Sequence, residues 1–229
     1  MKTLRTESKI EGESKYKPDD KVGQLKLSIA QNLVPKIGTI PRNNYRIIVL
    51  DPPWFFGLRE HQKTHRGRCK YPAMTERQIL DLPIGEIGND HSYILLWTTN
   101  NHQFLAFKCL LEWGYQHKST FTWEKVTIAG KPHMGMGHYG RNCTEHLLVG
   151  TKGNAPSMTA LGMTNVPNII RARRREHSRK PEEFWVIANT LADKLENCEK
   201  LGKLDTPSRI ELFSREPRLF WDSWGAEAD

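Results

Sequence analysis

The chain has 229 residues, of which 38% are hydrophobic and 9% aromatic, and 34 Lys and Arg stand against 26 Asp and Glu for a formal net charge of +8. This length favours one domain with a substantial core, and the composition is too apolar for a disordered chain. Apolar runs fall far short of the ~20 residues of a membrane-spanning helix, and residues 1–21 lack a signal-peptide core. The four cysteines form no CxxC pair, so we expect a reduced, cytoplasmic protein without membrane contact.

Positive charge is concentrated in two segments of the chain. Residues 59–70 hold five basic residues and one acidic residue, and residues 171–180 hold six basic residues and one acidic residue. The rest of the chain therefore sums to −1. A near-neutral body with two basic segments favours a polyanionic partner such as nucleic acid, while a pair of solvated charge runs is the alternative.

Taken in chain order, the sequence predicts a polar, partly flexible N-terminal extension over residues 1–40 and a single domain over residues 41–229. Short apolar runs predict buried strands at 46–50, 92–97, 145–150 and 209–213, with a weaker one at 120–123. Helical patterns cover 75–80, 101–113 and 181–195. This alternation predicts an α/β open sheet. The stretches 128–142 and 151–168 are rich in Gly, Pro and small residues, which is typical of functional lids or disordered segments.

The tetrapeptide Asp-Pro-Pro-Trp at 51–54 directly follows the first predicted strand. In an open α/β sheet, ligands bind beyond the carboxyl ends of the strands. The Asp51 carboxylate and the Pro52 carbonyl are two hydrogen-bond acceptors, and Trp54 offers a large flat face. This combination suits a planar group that carries an amine, such as adenine or cytosine. The alternative is a strand-ending Asp followed by a proline turn and a core Trp.

The tetrapeptide also resembles the D-P-P-W motif of the MT-A seventy (MT-A70) family, whose members methylate the 6-amino group of adenine. Seven further segments resemble that family in the same order, at 71–74, 96–99, 123–125, 145–153, 177–182, 210–215 and 221–225. The resemblance runs from about Tyr45 to about Glu227. It implies a Rossmann-like class I methyltransferase sheet with a permuted motif order, in which the D-P-P-W strand precedes the cofactor-binding E-L-F strand. It also implies a compact member such as bacteria or phages encode.

The resemblance further implies roles for individual residues. Asp51, Pro52, Pro53 and Trp54 would form the catalytic motif, in which Asp51 and the Pro52 carbonyl hold the amine of a flipped-out adenine. The cofactor would be S-adenosylmethionine, without a metal, and S-adenosylhomocysteine would be its product. The cofactor contacts would be Asp51, Lys180, Phe213, Arg215 and Glu227. One departure is Ala226, since many relatives carry Asn after the preceding glycine.

The same resemblance assigns substrate contacts. Those lining the base pocket would be Tyr71, Trp97, Thr99, Lys125 and Glu145. Those gripping phosphates from loops at the mouth of the site would be Arg66, Arg68, Arg173, Arg174, Arg175 and Arg179. For Trp97, which belongs to a buried strand, core packing is the alternative.

These observations predict methylation of the adenine 6-amino group in nucleic acid. DNA is favoured over RNA because the short chain shows no separate RNA-binding domain and no residue suited to a 2′-hydroxyl. The rival is a catalytically silent subunit of the same fold that binds nucleic acid beside an active partner. The sequence is compatible with a homo-oligomer and with a complex that contains a related partner subunit.

Two further patterns are interpreted as loops. The G-x-G-x-x-G match at 135–140 lacks a preceding strand and a following helix, so we expect a substrate-facing loop there and not a dinucleotide site. His61, His65 and Cys69 recur every four residues, but Gly67 and the polar surroundings favour a loop over a zinc site.

Overall fold

The computed structural model describes residues 40, 44–55, 73–175, 179–204 and 208–225. Within these ranges the chain forms seven strands and four α-helices. The strands are β1 (Tyr45–Leu50), β2 (Gly88–Thr98), β3 (Gln116–Val126), β4 (Thr144–Lys152), β5 (Ile169–Arg173), β6 (Arg209–Leu212) and β7 (Asp222–Trp224). The helices are α1 (Glu76–Leu80), α2 (Ile84–Ile87), α3 (Gln103–Glu112) and α4 (Glu182–Glu196).

All seven strands belong to one sheet, in the order β5-β3-β4-β2-β1-β6-β7. The pairs β1–β2, β1–β6, β6–β7 and β3–β5 are parallel, whereas β4 is antiparallel to both β2 and β3. Because β4 alone runs the other way, its amino end lies at the same edge as the carboxyl ends of the other strands. The Rossmann-like α/β sheet is therefore confirmed, and β1 lies directly beside the later strand β6, with Leu50 opposite Leu212.

The core has two faces because the side chains of β1 alternate. Ile48 and Leu50 point to the face covered by α1, α2 and α3, while Ile47 and Val49 point to the face covered by α4. A Thr75 capping box starts α1, as its Thr-x-x-Gln sequence predicts. α4 begins after Pro181, with two acidic residues in its first turn.

Two predictions about loops are wrong. Arg171 and Arg173 of the second basic segment belong to strand β5, in which Ile170 and Ala172 are buried while both arginines are exposed. The stretch after β4 is packed and not disordered, because Met158, Leu161 and Met163 lie on the α4 face of the sheet. The Tyr93 hydroxyl also donates to the Pro156 carbonyl at 2.6 Å.

Two searches of the described residues were negative. No helix among them is long and apolar enough to cross a membrane. Within the same ranges no three His, Cys, Asp or Glu side chains are grouped so that they could hold a metal ion. The His61, His65 and Cys69 pattern lies outside the described residues.

Candidate active site

The D-P-P-W segment leaves the sheet at the carboxyl end of β1. The Trp54 amide donates to the Pro52 carbonyl at 2.8 Å, and the Met74 amide donates to the Pro53 carbonyl at 2.9 Å. A carbonyl oxygen has two lone pairs, so Pro52 keeps one acceptor position beyond this tight turn. Asp51 is only partly covered, with its side chain 24% exposed. The two acceptors predicted from the sequence are thus both present at the carboxyl end of β1. We call this edge of the sheet, where β1, β2, β3 and β6 end and β4 begins, the active edge.

One lysine joins two carboxylates at this edge. Lys180 Nζ lies 2.9 Å from Asp51 Oδ2 and 2.8 Å from Glu145 Oε2. Lys125 Nζ lies 2.5 Å from the other oxygen of Glu145. Two acids and two bases therefore alternate in one line, which we call the charge chain (Asp51, Lys180, Glu145 and Lys125). It exists because β4 enters the sheet where β1 and β3 leave it.

The charge chain shifts the pKa values of its members. Burial raises the pKa of the Asp51 carboxyl, and Lys180 only partly opposes this rise. Burial alone would also raise the pKa of Glu145, but the ammonium groups of Lys180 and Lys125 lower it to about 2. For Lys180, burial favours the neutral amine, yet Asp51 and Glu145 together hold its pKa above the ordinary value. Glu145 is thus firmly ionised, whereas Asp51 takes up a proton more readily than an ordinary aspartate.

The turn after β6 brings further charges to the same edge. Arg215 is close enough to lower the pKa of Asp51. Phe213 has a positive φ of 61° and packs edge-on against Trp224 at 5.2 Å between ring centroids. The turn also packs tightly on Gly225, where an added Cβ would lie 2.6 Å from the Ser214 carbonyl oxygen.

Glu211 of β6 lies near enough to Asp51 to interact with it electrostatically, and the sequence analysis named it only as part of a motif. Burial raises the pKa of its carboxyl to about 7, although Arg218 opposes the rise. The guanidinium Nε of Arg218 is 3.6 Å from Glu211 Oε2, and the Ser214 hydroxyl is 3.1 Å from the same oxygen. A lone acid inside a short apolar strand is the sequence signal that could have identified it.

Two tryptophans that the sequence analysis placed at the base, Trp97 and Trp54, are buried. Trp97 is 0% exposed and packs among Trp123 and Phe184, so it presents no face to a base. Its indole instead lies 4.9 Å below the Lys180 ammonium. Trp54 is 4% exposed and donates its indole N–H to the Trp97 carbonyl at 3.2 Å. Both side chains therefore pack in the core, as the alternative interpretation has it, and contact of either residue with a base stays a prediction.

His102 holds Trp54 in place, and the sequence analysis did not identify it. The two rings stack at 5.5 Å with an interplanar angle of 16°. Nδ1 of His102 lies 2.8 Å from the Thr99 hydroxyl, and Nε2 lies 3.0 Å from the Phe55 carbonyl, to which it is placed to donate. Thr99 thus orients a histidine here. The ring clamps the segment that carries Asp51.

Asn100 connects the end of β2 to the start of β4. Its amide nitrogen donates to Thr144 Oγ1 at 3.2 Å and to Asn142 Oδ1 at 3.1 Å. Its oxygen lies 2.8 Å from His146 Nε2. Burial lowers the pKa of His146, which favours a neutral ring that donates to Asn100. This network fixes the strand that carries Glu145.

The predicted phosphate-gripping arginines divide into two groups. Arg175 pairs with Glu182, and Arg179 pairs with Glu216 at 2.9 Å. Arg173 and Arg174 are exposed and make no ion pair within the described ranges. The remaining predicted site residues, Tyr71, Arg66, Arg68 and Glu227, lie outside the described residues, and so does Ala226.

Comparison with known proteins places this geometry in a family. A family model described as MT-A70 matches residues 45–227. The chain is 26% identical over 205 residues to the Type II methyltransferase M.MunI of Mycoplasma sp, which covers 82% of this chain and 79% of that protein.

Two further relatives are longer proteins. One is the N(6)-adenosine-methyltransferase MT-A70-like of Arabidopsis thaliana, 26% identical over 166 residues that cover 70% of this chain and 22% of the plant protein. The other is the N6-methyladenosine RNA methyltransferase MTA1 of Cryphonectria parasitica, 24% identical over 192 residues that cover 80% of this chain and 51% of the fungal protein. The family match covers most of the chain and includes every motif at the edge of the sheet, so the chain belongs to the MT-A70 family.

Proposed function

We propose that the chain transfers a methyl group from S-adenosylmethionine to the 6-amino group of adenine in nucleic acid, with DNA favoured over RNA. The observation that carries this proposal is the pair of acceptors at the end of β1, Asp51 and the Pro52 carbonyl, with Asp51 bridged by Lys180 to Glu145. The names of the plant and fungal relatives, which specify methyl transfer to adenosine, support the same reaction.

The donor set at the active edge fits S-adenosylmethionine. This cofactor carries one carboxylate and two positive charges, on its ammonium and sulfonium groups. The Lys180 ammonium can bind the carboxylate of the cofactor. The carboxylates of Asp51 and Glu211 can bind its ammonium and sulfonium groups. Arg215 follows the Phe213 turn and lies near enough to Asp51 to lower the pKa of its carboxyl. When bound, the cofactor supplies a methyl group on a sulfonium that needs no acid in order to leave.

The residues of the chain would then orient the adenine amine. An aryl amine is a poor nucleophile because its lone pair is delocalised into the ring. Hydrogen bonds from its two N–H groups to Asp51 and the Pro52 carbonyl favour the pyramidal form, whose lone pair can attack. Asp51 is also suited to receive the proton that the nitrogen loses, because burial raises the pKa of its carboxyl. The contribution of the protein is mainly positioning and electrostatics.

The preference for DNA over RNA is part of the proposal. The chain covers 79% of M.MunI, whose name specifies no RNA, but 51% of the fungal protein that is named as an RNA methyltransferase. On either polymer the target base has to leave its stack to reach the end of β1. The exposed Arg173 and Arg174 would contact phosphates near this edge without reading the sequence.

The decisive experiment measures methyl transfer to single- and double-stranded DNA and RNA, with the products identified as nucleosides by mass spectrometry. We expect 6-methyladenine in DNA. Asp51→Ala and Asp51→Asn should lower the rate about 100-fold or more, because one of two preorganised acceptors is lost. Asp81→Ala, which removes an exposed aspartate of an (i, i+4) ion pair, is the matched control.

Cofactor binding by calorimetry separates the enzyme from its rival. A chain that binds oligonucleotides, does not bind S-adenosylmethionine and modifies none of the four polymers would be a silent nucleic-acid-binding subunit. Unchanged activity in Asp51→Ala would show that the amine is held elsewhere. Transfer to RNA but not to DNA would reverse the substrate preference.

A further inference from the structure

The connection between β3 and β4 makes two turns. The first, over Thr127–Lys131, folds back so that Pro132 bridges Val126. The second, over residues 134–142, is a narrow hairpin with its tip at residues 137–141. The Gly135 amide donates to the Asn142 carbonyl at 3.0 Å, and the Asn142 amide donates to the Met136 carbonyl at 3.3 Å. A Cβ on Gly137 would overlap the Gly140 carbonyl oxygen, so only glycine permits this turn. The glycines of the G-x-G-x-x-G match therefore make a tight hairpin, and a strand follows it.

The base of this hairpin is fixed to the active edge. The Asn142 side chain accepts a hydrogen bond from Asn100, the second residue after β2, at 3.1 Å. The Cys143 carbonyl accepts from the Lys125 amide at 2.8 Å. The chain then continues through Thr144 to Glu145, which contacts Lys180. The tip is consequently held at the same edge of the sheet as the proposed adenine pocket.

The chemistry of the hairpin suits a polyanion. Residues 126–144 contain no Asp or Glu, but they contain Lys131, Arg141 and two histidines. On β5, which is paired to β3, Arg173 follows as an exposed cation, and Arg174 continues beyond the strand. A hairpin built to meet a protein surface would not need this one-sided charge.

The tip exposes one aromatic side chain completely. Tyr139 has a relative exposure of 108%, while Met134 and Met136 on the same hairpin are 59% and 70% exposed. An aromatic ring in water at a charged, glycine-shaped tip forgoes the burial that aromatic side chains ordinarily gain. Bases of nucleic acids stack on such rings regardless of sequence.

We propose that Tyr139 is a stacking residue for the nucleic-acid strand, and that it occupies the place in the base stack that the flipped adenine leaves. This inference rests on the proposed function and deepens it. Removal of a base from its stack is unfavourable, and an aromatic group inserted at the vacated step offsets part of that loss. The basic side chains around the tip would hold the flanking phosphates.

The test compares Tyr139→Ala, Tyr139→Phe and Phe104→Ala in the full chain. Phe104 is an exposed aromatic residue on α3, with an exposure of 87%, and serves as the matched control. Binding of a fluorescent adenine-containing oligonucleotide is measured by anisotropy, and cofactor binding by calorimetry. We expect Tyr139→Ala to weaken oligonucleotide binding about tenfold, since stacking on one ring is lost. Tyr139→Phe and Phe104→Ala should bind as the wild type does, and cofactor affinity should not change in any variant.

Failure of this inference is distinguishable from failure of the proposed function. Tyr139-dependent binding without methyl transfer would support the stacking role and remove the catalytic one. Methyl transfer with unchanged oligonucleotide affinity in Tyr139→Ala would overturn the stacking role alone. Loss of a dimer in Tyr139→Ala by light scattering, with unchanged oligonucleotide binding, would assign the tip to a second copy of the chain and also contradict the inference.

Discussion

Lys180 is central to the candidate site because its single ammonium group forms ion pairs with two carboxylates. Asp51 directly follows β1 and Glu145 lies on β4, and each is within 2.9 Å of the same nitrogen at one edge of the sheet. Glu145 has Lys125 as a second partner, whereas Asp51 depends on Lys180 more directly. The sequence predicted Lys180 as a cofactor contact, and the structure adds that it also balances charge within the protein.

This arrangement predicts an asymmetric double-mutant result. Lys180→Met leaves Asp51 without its ion-pair partner and should lower the free energy of unfolding by about 2–3 kcal/mol, somewhat less than for a fully buried pair. Adding Asp51→Asn should restore most of that free energy, because the Lys125–Glu145 pair remains. Urea denaturation measures both changes. Equal unfolding free energies for the wild type and Lys180→Met would contradict the ion-pair bridge, and the double variant should stay inactive in methyl transfer.

His102 is a positioning residue whose stacking and hydrogen bonds can be separated. His102→Phe keeps a ring on Trp54 but loses the contacts to Thr99 and Phe55, and His102→Ala loses both. We expect kcat to fall about tenfold or more in His102→Ala and less in His102→Phe, since small displacements of the acceptors lower the rate. KM for the cofactor should hardly change. A matching rise in KM would instead place His102 in cofactor binding.

At the scale of elements, the strands that are most fully buried were the ones that the sequence predicted best. β1 and β2 are buried nearly throughout, so they form continuous apolar runs that the sequence reveals. Strand β5 lies at the edge of the sheet. In its Ile-Ile-Arg-Ala-Arg sequence the two arginines suggest a charged loop and obscure the alternation of buried and exposed residues that marks a strand. The segment after β4 was predicted as a lid or a disordered segment because Gly and Pro are typical of turns. Its methionines and one leucine nevertheless pack on the sheet.

The site divides in the same way. The sequence singles out Asp51, Pro52 and Lys180 because short motifs with a chemical rationale contain them, and the structure brings Lys180 into contact with Asp51. His102 and Asn100 were not, because their partners are distant in sequence and meet only through the pairing of β2 and β4. Trp54 and Trp97 were assigned to the base through the family resemblance, and the sequence does not show which aromatic side chains the core covers.

Strand β5 leads to a salt-dependence prediction. Arg173→Ala with Arg174→Ala removes two exposed cations and should reduce the slope of log affinity against log salt concentration by roughly two for an oligonucleotide. Arg175→Ala with Arg179→Ala is the matched control, since both arginines already pair with glutamates. That control should change the slope much less. Anisotropy titrations over a salt series measure it, and equal slopes for the two double variants would contradict the division of the arginines into exposed and paired groups.

At the scale of the whole molecule, stability should depend on pH through Glu211. Its pKa of about 7 in the folded chain lies above the ordinary value of 4.5 for a glutamate, so the folded state binds the proton more tightly than the unfolded state does. Stability from this group is complete below about pH 4.5 and is lost as pH rises through 7. Glu145 has the opposite sign, because its pKa of about 2 makes its contribution disappear only in strong acid.

Glu211→Gln should therefore raise the melting temperature of the ligand-free chain at pH 8 and have little effect at pH 5. The gain corresponds to about 1–3 kcal/mol, discounted because Arg218 loses a partner. Thermal unfolding across this pH range measures the difference. Glu199→Gln, which removes an exposed glutamate, is the control and should change the melting temperature equally at pH 5 and at pH 8. An identical pH profile for wild type and Glu211→Gln would show that this carboxyl keeps its ordinary pKa.

The placement of the Lys180 ammonium over the Trp97 indole has an optical consequence. The emission wavelength of an indole depends on the electric field along its ring, and a positive charge 4.9 Å away is a large part of that field. Trp97 is completely buried, so solvent does not obscure the effect. Any molecule that draws the ammonium from Asp51 would change the colour of this fluorescence. The emission wavelength of Trp97 should thus report whether a molecule occupies the active edge, without a label and without turnover.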